Sequence, residues 1–269
     1  MTIRLLGTGA AEGIPAFYSD SEVSNYAREH GGKDVRTRSA ALIDGTIKID
    51  LPPDTLYHLQ RDRLDAMDWS ALVFTHSHDD HFAPAELQYC LYPFNQMDYL
   101  DFVIYANRSI CARLREAYPA WPMEIVETRS FQCFRHGDYA FTPIHANHED
   151  DEDAHNLIVQ KAGRSLLYAT DTGVWREDTW EFLKDCRLDL LVIECTEGLR
   201  CTEYEGHLDI EACLEVIERL RAQGTLDNSA KIVTTHHSHN GDATHEQLET
   251  ALNPHGVQVG FDGMEIMVG

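Results

Sequence analysis

The chain has 269 residues, 43% hydrophobic and 25% charged, the composition of an ordinary globular protein with enough length to bury a large core. Its formal charge of −23 opposes binding to the backbone of a long nucleic acid, and no basic patch in the sequence offsets it. No apolar run approaches the roughly 18 residues of a membrane span, and the N-terminus lacks a basic segment followed by an apolar one. A cytoplasmic protein without a membrane association is expected.

In chain order, "TIRLLGTG" predicts a first strand ending in a glycine turn. "AALIDGTIKID" predicts two short strands around the Asp44-Gly45 turn, a hairpin signal. After "LPP" a helix is expected from Asp54 to about Arg63, followed by a buried strand in "SALVF". Further strands are predicted in "DFVIYA", "YAFTPIHA", "NLIVQ", "SLLYAT", "LDLLVIE", "KIVTT", "VQVGF" and "MEIMV". Helices are predicted in "SICARLREAY", "DTWEFLKDC", "LDIEACLEVIERLRAQ" and "HEQLETAL", the third opening after His207 with Asp209 as an early-turn acid. Strands grouped in the first half and alternating with helices in the second suggest an α/β protein, two sheets covered by helices on their outer faces, in one domain over residues 1–269.

Seven cysteines, an odd number without CxxC spacing, suggest neither a disulfide framework nor a cysteine zinc site, and Cys195 and Cys213 read as small core residues. The acidic run "EDDED" at 149–153 reads as a solvated loop rather than a cation site.

Chemistry concentrates in "FTHSHDDHF", residues 74–82, at the carboxyl end of a predicted strand. Histidine nitrogen and aspartate oxygen are ligands for zinc and similar divalent metals. On extended backbone His76 and His78 point to one side, while Asp80 and His81 lie where the chain turns, so one loop can begin two metal sites. Chance yields HxHxDH on the order of once in two hundred chains of this composition. A loop with four ligands needs partners from elsewhere, and His148, Asp171 and His236 each follow a predicted strand.

With its later histidine, "ATDTG" and late "TTH", this series resembles the ligand series of the metallo-β-lactamase fold over nearly the whole chain. The resemblance implies a four-layer αββα sandwich with two divalent ions, Zn2+ first and Mn2+ or Fe2+ as alternatives, at one edge. It assigns His76, His78 and His148 to one ion, Asp80, His81 and His236 to the other, and Asp171 as a bridge.

Within that superfamily "LLGTGAAEGIP", "RTRSAALI", "GHLDI" and "TTHHSH" look most like the phosphodiesterases that hydrolyse phosphoribosyl 1,2-cyclic phosphate. That likeness gives His207 the role of general acid, against the alternative of a residue beside a helix cap with no chemistry. The group's separate structural zinc is held by three cysteines and a histidine. Here Ser19, Ser21 and Ser24 stand where the cysteines fall, with His239 retained, so that ion is expected to be absent.

The expected substrate is a small phosphodiester, a cyclic phosphate or cyclic nucleotide, attacked by a hydroxide that two divalent ions make available at neutral pH, with Asp80 as a catalytic metal ligand. Arg36 and Arg38 are candidates for holding a terminal phosphate, with a plain surface role as the alternative. Rival readings on the same fold are a carboxyl-ester, lactone or β-lactam hydrolase, an RNA 3′-processing endonuclease, and an accessory protein without turnover. A homodimer is compatible with the sequence.

Overall fold

The computed structural model describes residues 1–95 and 101–269. Among the described residues fourteen strands form two seven-stranded mixed sheets. The first half supplies β1 (Thr2–Gly7), β2 (Ala40–Ile43), β3 (Ile47–Ile49), β4 (Ala71–Val73), β5 (Val103–Ala106) and β6 (Ile125–Glu127). The second supplies β7 (Phe134–His136), β8 (Tyr139–His145), β9 (His155–Lys161), β10 (Arg164–Ala169), β11 (Leu188–Glu194), β12 (Leu226–Thr235) and β13 (Gln258–Val259), and β14 (Glu265–Met267) returns to pair with β1. The sheet orders are β14-β1-β2-β3-β4-β5-β6 and β13-β12-β11-β10-β9-β8-β7.

Alternation along the strands sends one set of apolar side chains between the sheets. Ile3, Leu5, Ile43, Ile47, Ile49 and Val73 of the first meet Phe141, Leu157, Val159, Leu166, Tyr168 and Val192 of the second in one buried cluster. The α-helices of the described residues are α1 (Glu22–His30), α2 (Thr55–Asp62), α3 (Arg108–Ala117), α4 (Glu177–Leu183), α5 (Ile210–Ala222) and α6 (His245–Leu252). Trp180, Leu183, Val216, Ile217, Leu220 and Leu248 of α4, α5 and α6 cover the outer face of the second sheet. Ile110, Cys111 and Leu114 of α3 cover part of the first. This is the expected αββα order.

The expected strands all form, as does the Asp44-Gly45 turn, with both residues at positive φ. Asp209 is the N-cap of α5 and accepts from Ala212 N. Cys195 and Cys213 are buried in the core and all seven cysteines are free. Three elements differ from expectation. α1 forms from "EVSNYAREH", whose apolar content is too low to give a strong stripe; Ser21 caps it by accepting from Ser24 N. β6 and β7 are three-residue strands at the sheet edges, too short to show a period. Pro84–Cys90 forms a 3-10 helix. Among the described residues no helix is long and apolar enough to cross a membrane.

Candidate metal centre

β3 and β4 run parallel, as do β10, β11 and β12, and each of these strands carries a polar residue at or just beyond its carboxyl end. Asp50 follows β3, His76 follows β4, Asp171 follows β10, Glu194 closes β11 and His236 follows β12. Asp50, Asp171 and His236 all have positive φ, at 57°, 50° and 57°. A left-handed residue at a strand end turns the chain and re-aims the side chain, and such conformations persist only where the surroundings fix them.

The result is a compact set of donors. One candidate group joins His76, His78 and His148, another joins Asp80, His81, Asp171 and His236, and in each the donor atoms lie within 4.8 Å of one another. Asp171 lies between them. Its Oδ1 is 3.9 Å from His76 Nε2, 3.8 Å from His148 Nε2 and 3.1 Å from His236 Nε2, while its Oδ2 is 2.9 Å from His81 Nε2.

Other polar groups orient the rings from behind. His81 Nδ1 meets Asp50 Oδ2 at 2.7 Å, and Asp50 is itself held by Thr75 N and Oγ1. His236 Nδ1 meets Thr196 Oγ1 at 2.9 Å, His76 Nδ1 meets Thr75 Oγ1 at 3.1 Å, and His148 Nδ1 meets the Gly206 carbonyl at 3.2 Å. Fixing Nδ1 commits Nε2 to the interior of the cluster.

Does this set suit divalent cations? His76 Nε2, His81 Nε2 and His236 Nε2 are buried and make no well-aligned hydrogen bond among the described residues, although all three lie within ion-pair distance of carboxylates. Orphaned buried nitrogens are costly unless something else satisfies them. The charges point the same way. Burial disfavours a charged His81, yet Asp171, Asp80 and Asp50 together raise its pKa well above the ordinary value. Asp171 is held well below the usual carboxylate range, because His236, His81 and His76 outweigh its burial. The cluster demands positive charge, and imidazole with carboxylate is a donor set for zinc and other first-row divalent ions. The residues fit.

His207 stands beside the cluster, its ring centre 5.0 Å from that of His148 and 5.5 Å from that of His236. Its Nδ1 lies 2.7 Å from Glu194 Oε1. Burial works against a protonated His207, but Glu194, with support from Asp171 and Glu197, carries its pKa up to about 9. Glu194 is fully buried and also accepts from the backbone of Thr172, Thr196 and Leu208. Through the Thr196 hydroxyl, which it binds at 2.6 Å, it also steadies His236. Sequence reasoning missed Glu194, Thr196 and Asp50. Their only signal was polarity at the end of an apolar run.

The arginine expectations are corrected. Arg36 is buried, donating to Thr8 Oγ1 and the Gly260 carbonyl and meeting His245 Nδ1, and burial pushes its pKa down to about 10 against the pull of Asp262 and Asp34. Arg38 is committed to Asp54 at 3.1 Å and to the Ala11 carbonyl. Neither lines the cavity that contains the cluster; its arginine is Arg200. The acidic run is only partly solvated. Glu149 pairs with His78 at 3.1 Å, Glu152 accepts from Ser77 and Asn107, and Asp153 from Ser130. These contacts anchor the loop that follows His148. At the corner where a structural ion was considered, His239 Nδ1 lies 3.0 Å from Ser21 Oγ and 3.3 Å from Ser19 Oγ, while Ser24 is buried and accepts from Ala16 N.

Comparison with known proteins agrees with the geometry. The family model of the β-lactamase superfamily domain matches residues 42–237, and the chain belongs to that family. Fold and site together define a metal-dependent hydrolase of the metallo-β-lactamase type. Among solved structures, the chain is similar to a diphosphatase from the PhnP family, with TM-score 0.78, 23% identity, and coverage of 98% of this chain and 96% of that one. It is also similar to Zn2+-bound PqqB from Methylobacterium extorquens, with TM-score 0.75, 15% identity, and coverage of 99% and 100%. Human tRNase Z, short form, gives TM-score 0.65 and 18% identity with both chains fully covered. At these identities the likeness is one of fold. No curated protein matches in sequence.

Proposed function

We propose that the protein is a phosphodiesterase acting on a small cyclic phosphate, such as phosphoribosyl 1,2-cyclic phosphate or a cyclic nucleotide. His76, His78 and His148 would hold one divalent cation and Asp80, His81 and His236 a second, with Asp171 shared between them. Bound there, such ions supply a water-derived nucleophile at neutral pH and Lewis-acid polarisation of the phosphoryl oxygens.

The observation that carries the reading is the pairing of His207 with buried Glu194 beside the cluster. An alkoxide is a poor leaving group, and an imidazolium within hydrogen-bond reach relieves that difficulty. With Nδ1 committed to Glu194, Nε2 is the nitrogen free to act. The new bond forms between a water oxygen and phosphorus. The P–O bond to the leaving group breaks with its electron pair on oxygen, and the proton on Nε2 converts that oxygen to an alcohol. A proton from the attacking water restores the imidazolium. Asp80 and Asp171, both buried, supply negative charge. The names of a diphosphatase and a tRNase Z among the similar structures, both for cleavage at phosphorus, support the same chemistry. The charge of −23 weighs against a long RNA substrate.

The test is hydrolysis of bis(p-nitrophenyl) phosphate and cyclic phosphates beside nitrocefin and a lactone panel, on protein of measured metal content. Turnover of the phosphodiesters alone is expected. Cleavage of nitrocefin or lactones with every phosphodiester intact would replace this reading by a carbonyl hydrolase. Full metal loading with no hydrolysis at all would indicate an accessory protein.

A further inference from the structure

Two cavities meet at His207. The first, of about 510 Å³, contains the cluster and is bordered by Glu12, Arg200 and Ser238. The second, of about 370 Å³, is lined by Asn147, Val174, Glu205, Asp209 and Ala212, and shares Glu197, Thr202, Tyr204 and His207 with the first. Tyr204 contributes to both. Its ring centre lies 5.5 Å from that of His207, and it folds over Gly206, where a Cβ would come within 2.5 Å of the phenol oxygen. Behind it, a Cβ on Gly173 would lie 1.7 Å from the Glu205 carbonyl oxygen, so the loops bounding the second cavity are packed backbone to backbone.

We propose that the second cavity receives the leaving group, and that this group is an alcohol bearing no further phosphate. The inference rests on the phosphodiesterase reading, with His207 as the acid. In-line displacement places the entering and departing oxygens on opposite sides of phosphorus. The entering oxygen comes from the side of the cluster, so the departing oxygen points away from it and must pass within reach of His207. The space on that side is the second cavity.

Its chemistry selects against a second anion. Glu197, Glu205 and Asp209 contribute carboxylates, and no lysine or arginine lines it among the described residues. Arg176, which touches Asn147, is paired with Asp150. Arg200 borders only the first cavity. A field of one sign raises the local concentration of neutral or cationic groups over phosphates. Val174, Ala212 and the Tyr204 ring offer apolar contact, and the Thr202 hydroxyl and Glu197 offer hydrogen bonds to sugar hydroxyls. Of the proposed cyclic phosphates, this favours a cyclic nucleotide without a further phosphate over phosphoribosyl 1,2-cyclic phosphate, whose 5-phosphate would lie on the leaving side.

Adenosine 2′,3′-cyclic phosphate and the same molecule carrying a 5′-phosphate test this, with bis(p-nitrophenyl) phosphate as reference. The parent enzyme is expected to favour the first by at least about tenfold in kcat/KM, in line with a rejected charge. Val174→Lys, at an exposed position, should cut that preference at least fivefold by improving use of the 5′-phosphorylated probe. Should neither nucleotide turn over, the same preference and the same shift are expected in their inhibition constants against the reference. Reference hydrolysis with no preference between the probes, or one that Val174→Lys leaves unmoved, overturns the leaving-group assignment while the phosphodiesterase reading stands. No hydrolysis of any phosphodiester removes both.

Discussion

Two buried groups of ionisable side chains behave in opposite ways. At the ends of β4, β10 and β12 the carboxylates of Asp80 and Asp171 and the His81 imidazole support one another's charge, with His81 pushed up and both carboxylates pushed down, while burial and neighbouring imidazoles lower His76 and His148. Under the outer face of the first sheet, Lys48 and His58 are buried without such support, and burial lowers both, Lys48 to about 7 and His58 much further below its usual value. The first group is arranged to hold charge. The second is arranged to be neutral. Burial alone therefore does not mark a functional centre, and neither does an orphaned nitrogen, since His58 Nδ1 is one too; the buried carboxylates that hold His81 charged distinguish the two.

The largest expected effect comes from breaking the first group at its centre. Asp171→Ala should lose both ions and at least about a thousandfold in phosphodiesterase kcat, and Asp80→Ala most of the activity with one ion. Metal analysis by mass spectrometry beside turnover measurement checks both. Retention of two ions per chain by Asp171→Ala would contradict its bridging place. His207→Ala should keep both ions yet fall by roughly 10² to 10⁴ on alkyl leaving groups, and by much less on p-nitrophenolate, which needs little protonation. An equal loss on both leaving groups would remove the acid from His207.

Glu194→Gln sharpens the comparison, since it keeps the shape of the side chain and deletes its charge. The folded pKa of His207 is raised to about 9, so its acid form persists through neutral pH and is lost as pH rises through that value. Without the Glu194 charge the alkaline fall in rate should begin at least about one pH unit lower, and kcat at pH 7.5 should drop about 10- to 100-fold, as for other groups that orient an active residue. Cations bound beside His207 move both profiles down together, leaving the displacement between them as the readout. An unshifted profile would leave Glu194 a purely structural group.

How far was this legible in the sequence? The strands other than β6 and β7 were, because buried runs such as "SALVF" and "LDLLVIE" declare themselves, and with them the seven donors, which the structure brings together. The residues behind the donors were not. Whether Glu194 or Asp50 faces the site depends on strand twist and on a positive φ at Asp50, neither of which leaves a local pattern. Arg36 and Arg38 misled for a related reason. Their positions before a strand suggested reach toward a substrate, but their partners, Gly260, His245 and Asp54, come from distant parts of the chain. α1 was missed because its stability comes from Ser21 and from packing of Val23 and Ala27 on Ile14, not from a strong apolar stripe.

Lys48 gives the smallest effect and the cleanest test of the second group. Its Nζ is fully buried and donates to the carbonyls of Ile49 and Asp50. Burial lowers its pKa from 10.5 to about 7, with Asp50 opposing the fall. Between those values the unfolded chain holds a proton that the folded chain does not, so stability rises with pH across this window, and the full penalty applies below about 7. Lys48→Met removes the penalty at the cost of two hydrogen bonds. The variant should therefore melt above the parent by roughly 5 °C at pH 7, with the gain shrinking steadily toward pH 10. Thermal denaturation across that range checks it, and activity should be unchanged because Lys48 lines neither cavity. A variant less stable than the parent at pH 7 would mean that the two carbonyl contacts outweigh the buried amine, and that the outer face of the first sheet holds a charge after all.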